Sequence, residues 1–250
     1  MQQAKQTQRM KGERRDPTRI KEKFKTEREE TVKLNPLRPL NQKQATYIKM
    51  LEEKPIVVAT GFAGTSKSYV PTVLAADKFK LGLINKIIIT RPAISSSKSV
   101  GFFTGSHTEK MQVWLAPVVS ILKERLGHAA FEIALAQQDI EFLPLEVVKG
   151  LSVNDAFMLC EESSDLTKDE VIKLVTRMGR NSTLVLAGDV RQSELKEQSG
   201  LAWLAHFIER HGMQDVFGHI DFNSVDDIVR SDAVKKFIVN LVRDEKKGIN

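Results

Sequence analysis

Residues 56–68 read Ile56-Val57-Val58-Ala59-Thr60-Gly61-Phe62-Ala63-Gly64-Thr65-Ser66-Lys67-Ser68. The run Ile56 to Ala59 has the character of a strand buried on both faces. The segment 61–68 follows it directly, and Val70, Val73, Leu74 and Phe79 then recur at helical spacing. A small-residue loop between strand and helix lets backbone N–H groups curl around phosphate oxygens, and the helix N-terminus adds a favourable partial charge. Lys67 supplies a point charge for the β- and γ-phosphates of a nucleotide, and the Ser68 hydroxyl is placed to ligate Mg2+. The pattern G-x-x-x-x-G-K-[ST] fails at one letter, because Ser66 stands where it has glycine. A serine there carries a Cβ into a position that exploits glycine's freedom. Taken alone, the eight residues are also compatible with a Gly/Ser turn that precedes a lysine.

Two further strand ends argue for the phosphate loop. Phe157-Met158-Leu159-Cys160-Glu161-Glu162 is an apolar run ending in two acids. A hydrolase of this type needs a carboxylate that holds magnesium and a base that orients water. Glu161 is the candidate for the first role and Glu162 for the second, against the alternative of two solvated glutamates at a helix start. Leu184-Val185-Leu186-Ala187-Gly188-Asp189-Val190-Arg191-Gln192 is a buried strand ending in G-D-x-x-Q. Such a turn brings Asp189 and Gln192 near the γ-phosphate, where its loss can be sensed.

Apolar runs at 87–90, 156–160, 183–187 and 217–222 alternate with helical patterns, and 140–143 reads as a short extra strand. The alternation predicts an α/β fold with a doubly wound, mainly parallel sheet of about five strands. Asn41 caps a helix carrying Ala45, Ile48 and Leu51, and a last helix from Asp232 is expected to bury Val234, Phe237, Ile238 and Leu241. Residues 91–110 are polar and Gly/Ser-rich, a long excursion of the kind that carries function.

The 250 residues carry a net charge of +6, but residues 1–33 hold 11 Lys+Arg against 6 Asp+Glu, so nearly all of the surplus lies there. Residues 1–35 read as a basic N-terminal arm, disordered or helical, that either binds nucleic acid or only solubilises. Residues 36–250 read as the nucleotide-binding domain. The lone Cys160 excludes an intramolecular disulfide and fits a reducing compartment. No apolar run is long enough to span a bilayer, and the acids among residues 13–30 argue against a transit peptide. The expected location is cytoplasmic, with no membrane partner.

These residues resemble the PhoH family, P-loop ATPases similar to superfamily 1 helicase cores. The likeness runs from about residue 39 to 240. Asn41-Gln42 resembles the glutamine motif that contacts adenine, and 61–68 stands where the family has GPAGTGKT. Thr90-Arg91-Pro92-Ala93, Gly101-Phe102-Phe103, Gly105, Glu109-Lys110, Asn154-Asp155-Ala156-Phe157 and Thr176-Arg177-Met178-Gly179 match further family signals in order. So do Gly188-Asp189, Gln192, Ser199-Gly200-Leu201 and Asp227-Ile228-Val229-Arg230. The departures are Ser66 for glycine, Glu161 for aspartate and Ser163-Ser164 for Ala-Gln.

The resemblance implies a RecA-like core that binds ATP with Mg2+ and hydrolyses it. Its nucleotide contacts would be Gln42, 61–68 and Tyr69, with Asp189 and Gln192 as sensors. Arg230 would serve as an arginine finger in a neighbouring subunit of a homo-oligomeric ring, a hexamer, or else pair locally with Asp226 or Asp227. Thr90 and Arg91 sit where related helicases touch a nucleic-acid backbone, although Arg91 before Pro92 also reads as a capped strand end. The partner implied is nucleic acid, RNA foremost, reached through the basic arm and the strand-end loops. The compact form is similar to standalone phage PhoH-like proteins, which would place it in host cytoplasm. The departures at the chemistry support a rival class, a nucleotide-binding scaffold that does not hydrolyse. A small-molecule kinase is a third class, opposed by G-D-x-x-Q.

Overall fold

Six apolar runs become six strands: β1 (Ile56–Gly61), β2 (Lys86–Arg91), β3 (Ile140–Pro144), β4 (Ala156–Cys160), β5 (Thr183–Gly188) and β6 (Phe217–Phe222). The structure, a computed structural model, describes residues 35–92 and 107–247. Nearly all of the N-terminal arm and the signals at 101–105 lie outside those residues. All strand pairs are parallel, in the order β3-β2-β4-β5-β1-β6. Among the described residues the sheet has six strands, the five expected core strands and the short extra strand Ile140–Pro144, which forms one edge. β5 lies between β1 and β4, and β1 lies next to the edge strand β6.

Side chains alternate across the sheet, and the two faces make two cores. Val57, Ala59, Ile87, Ile89, Phe157, Leu159 and Val185 point to one core. It is covered by α1 (Gln42–Glu53), α2 (Tyr69–Lys80), α3 (His107–Trp114), α4 (Ala116–Leu126) and α5 (His128–Ala136). Val58, Ile88, Met158, Leu184 and Leu186 point to the other. That face is covered by α6 (Leu145–Val148), α7 (Lys168–Val175) and α8 (Gly200–Arg210). Both faces being dry explains why the strands read as continuous apolar runs. The strands are parallel, so all their C-terminal ends open on one edge, where ligands of doubly wound folds bind.

α1 begins as its sequence predicts, with Asn41 Oδ1 accepting from the Gln44 amide at 2.8 Å. Its buried residues are Gln44, Tyr47 and Leu51, so Leu51 is buried while Ala45 and Ile48 are only half-buried. The reason is Tyr47. Its ring meets Phe222 edge-on, with centroids 5.5 Å apart, and its hydroxyl donates to the Lys67 carbonyl at 2.9 Å. Burial raises the Tyr47 pKa well above its ordinary value, so the phenol stays a donor. Tyr47→Phe is expected to leave that carbonyl buried and unpaired, lowering stability by about 1–3 kcal/mol. Urea denaturation measures this, and an unchanged midpoint would remove Tyr47 as an anchor of the loop.

α9 (Asp232–Lys247) starts where expected but does not bury the expected face. Phe237 is 67% exposed, and Val234 and Leu241 are also exposed. The helix passes beside the strand-end loops instead of lying on a sheet face. Ile238, Leu241 and Val242 line a small cavity with Phe62 and Arg191. Among the described residues, no helix is long and apolar enough to cross a membrane.

Candidate nucleotide site

The loop after β1 turns sharply into α2. Gly64 has φ +76°, and a Cβ there would lie 2.7 Å from Cγ of Arg230. Ser66 has φ +69°, the left-handed conformation for which glycine is suited. The strain expected from the sequence is therefore present in the backbone. Residues from Ala63 to Tyr69 line a cavity of about 540 Å³, within the range of about 300–1,000 Å³ usual for ligand sites. Gly61 and Phe62, expected in the same set, instead line a neighbouring cavity on the far side of the loop.

Lys67 is 9% exposed. Its ammonium donates to the carbonyls of Gly61 at 2.8 Å and Phe62 at 2.5 Å, and to Thr65 Oγ1 at 3.3 Å. Burial lowers its pKa, while Asp189 and Glu161 oppose the shift. A cation held among carbonyls at a helix N-terminus is matched to an anionic ligand.

The carboxylates of the β4 end face the loop. Ser68 Oγ donates to Glu161 Oε2 at 2.7 Å, and Glu161 Oε1 is buried without a partner. Burial pushes the Glu161 pKa up to about 7, with the Glu162 charge adding to the rise and Ser68 opposing it. The folded state thus binds this proton more tightly than the unfolded chain, whose carboxyl titrates near 4.5. Its contribution to stability falls as pH rises between those two values. A hydroxyl and an orphaned carboxylate oxygen fit a hard divalent cation. Among the described residues no group of three or more His, Cys, Asp or Glu could hold a metal. Ser68 and Glu161 would therefore hold Mg2+ together with phosphate oxygens.

Glu162, in the left-handed conformation at φ +51°, also lines the cavity. The Ser163-Ser164 turn behind it is structural. Ser163 Oγ donates to the Cys160 carbonyl at 2.7 Å, and the Ser164 carbonyl accepts from Ser193 and Ser199, each at 2.7 Å. A Cβ on Gly188 would lie 2.5 Å from the Ser164 amide. The acidic turn and the G-D-x-x-Q turn are thereby locked together, and Asp189 and Gln192 line the cavity beside Glu162.

Arg230 lines the same cavity in its own chain. Its loop is pinned by the Val229 amide donating to the Gly64 carbonyl at 2.9 Å and by a Lys43–Asp227 ion pair of 2.9 Å. Among the described residues Arg230 has no ion pair with Asp226 or Asp227, so the local pairing expected as the alternative is not seen.

A family model described as "PhoH-like protein" matches residues 36–241. The chain belongs to the PhoH family. It is 32% identical over 197 residues to the PhoH-like protein of Bacillus subtilis (strain 168), covering 78% of this chain and 60% of that one. It is 28% identical over 199 residues to Protein PhoH of Escherichia coli (strain K12), covering 79% and 56%. It is 29% identical over 214 residues to the PhoH-like protein of Mycobacterium tuberculosis (strain ATCC 25618 / H37Rv), covering 85% and 60%. The chain thus spans under two thirds of the length of these relatives. With the PhoH family comes the general class of P-loop, ATP-binding proteins.

Other residues expected at the site of this PhoH-family domain lie elsewhere. Gln42 is exposed and does not line the cavity. Two residues on, Gln44 is buried; its Oε1 accepts from the Leu40 amide at 2.9 Å, and its Nε2 has no partner. Thr90 is 0% exposed, so in this conformation it offers no surface to nucleic acid. Arg91 lies over Trp114, 5.8 Å from the ring centre, with its Nε buried and unpartnered.

Ser66→Gly removes the Cβ from a left-handed position, which costs roughly 1–2 kcal/mol. It is expected to raise phosphate release up to about tenfold. A parent already as fast as Ser66→Gly combined with Glu161→Asp would show that neither departure impairs the site.

Proposed function

We propose that this PhoH-family domain binds ATP with Mg2+ and hydrolyses it, coupling nucleotide state to single-stranded nucleic acid, RNA foremost. The observation that carries this reading is the 2.7 Å contact between Ser68 and Glu161, whose other oxygen is orphaned, beside Lys67 and Glu162. In the reading, Lys67 and the loop amides hold the β- and γ-phosphates, and Ser68 and Glu161 would hold Mg2+, which would supply neutralisation of charge on the phosphate oxygens. Glu162 accepts the proton of a water whose oxygen bonds to the γ-phosphorus. The bond to the β–γ bridging oxygen breaks, and its electron pair leaves with ADP. Arg230 stabilises the charge in cis, and Asp189 and Gln192 respond to the loss of phosphate. A reducing, cytoplasmic location fits the free, buried Cys160, whose pKa burial pushes up to about 12. A ring is compatible with this scheme but is not needed to supply Arg230.

The second reading, a nucleotide-binding scaffold, is favoured by the strained Ser66. Phosphate release with and without Mg2+ and single-stranded RNA separates them. Mg2+-dependent release that rises with RNA supports the coupled ATPase. Tight ATP binding with no release supports the scaffold.

A further inference from the structure

A second recess opens on the α8 side of the strand ends, away from the P-loop helix. Its inner part, about 460 Å³, is lined by Phe62, Asp189, Arg191, His206, Asp221 and Asn223 among others. Its outer part, about 580 Å³, adjoins the inner one and shares Val190, Arg191, Ala202 and His206 with it. Lys196, Trp203 and Arg210 complete the outer lining, which contains three cations and no carboxylate. Lys168 adds a fourth cation, its ammonium 4.9 Å from the centre of the Trp203 ring. The acid on α8, Glu209, lies 3.7 Å from His219 and is not in the lining. His206 Nδ1 is 2.8 Å from the Ala202 carbonyl, which can only accept, so Nδ1 is the donor. A cation-lined channel with an aromatic and a polar floor matches a single-stranded polynucleotide, with phosphates along the cations and base edges against the floor.

Arg191 joins this recess to the nucleotide cavity. Its guanidinium forks onto Asp189 at 2.9 and 3.1 Å and lies over the Phe62 ring, 3.7 Å from its centre. Phe62 belongs to the phosphate loop, and Asp189 lines both cavities. Yet the Arg191 side chain is still 40% exposed. One cation thus touches the phosphate loop, the turn after β5 and the recess.

We propose that this recess between the turn after β5 and α8 binds single-stranded nucleic acid, and that Arg191 couples its affinity to the nucleotide. The proposal rests on the coupled-ATPase reading and assigns it a surface. The test is fluorescence anisotropy of labelled oligouridine and oligothymidine with the full chain, over a range of salt, with and without a non-hydrolysable ATP analogue and Mg2+. Lys196→Glu combined with Arg210→Glu is expected to weaken binding at least tenfold. The log–log salt slope should fall by about 1.4, at about 0.7 per lost contact on a single strand. ATP affinity should be unchanged. Parent affinity should differ about fivefold or more with the analogue bound, and Arg191→Ala should abolish that difference. If the parent binds the oligonucleotides and the double variant binds equally well with the same slope, the recess is not the site, while the coupled reading stands. If the parent binds neither oligonucleotide, the coupled reading falls and the proposal with it. Equal affinity for poly-glutamate would show a general anion surface and overturn the assignment.

Discussion

Lys67→Ala is expected to lose tight ATP binding, by about 2 kcal/mol or more, roughly thirtyfold in dissociation constant. The ammonium is nearly enclosed, held by two loop carbonyls and Thr65. Burial already disfavours its charge, so the interaction with phosphate is made in a poorly solvated place and gains strength there. The substitution also removes three hydrogen bonds that shape the loop, and Tyr47 is left as a hold on the Lys67 carbonyl. Lys67→Arg distinguishes charge from fit, since a planar guanidinium does not replace a compact ammonium in this ring of carbonyls. Calorimetry of ATP with Mg2+ measures both. Unchanged affinity in Lys67→Ala would overturn the assignment of the phosphate loop.

Glu162→Gln is expected to keep ATP bound and slow turnover by about a hundredfold or more, the usual scale for removing a general base. The change preserves shape and removes the proton acceptor. The backbone at this position is left-handed, which glutamine tolerates no worse than glutamate, so the turn packed against Gly188 should survive. Affinity by calorimetry and phosphate release by a coupled assay separate binding from chemistry. Turnover equal to the parent would move the base elsewhere, with Glu161 the next candidate.

The strands were legible because a parallel sheet covered on both faces leaves unbroken apolar runs. The run 156–160 and the run 217–222 match β4 and β6 to the residue. The juxtaposition of Ser68 with Glu161 was legible too, since a loop after one strand and an acid after another must meet at the same sheet edge. Tyr47 left no such trace. Its role is one hydrogen bond to a carbonyl twenty residues away, and a tyrosine on a helix gives no sign of that partner. The position of Arg230 beside the cavity left no trace either, because the contacts that fix its loop come from Gly64 and Lys43, far along the chain. The face of α9 misled for a different reason. Its apolar periodicity is real, yet periodicity states which side is apolar and not whether protein lies against it. Arg191 lies within G-D-x-x-Q, but its stacking on Phe62 is a tertiary contact invisible to the motif.

On the proposed reading, Lys67, Ser68, Glu161 and Glu162 work as one hydrolytic site despite the strain at Ser66. Steady-state phosphate release from ATP by the full chain decides this. The expected result is release that requires Mg2+, disappears in Lys67→Ala and accelerates in Ser66→Gly. ATP bound tightly with no Mg2+-dependent release, even in Ser66→Gly combined with Glu161→Asp, would contradict it.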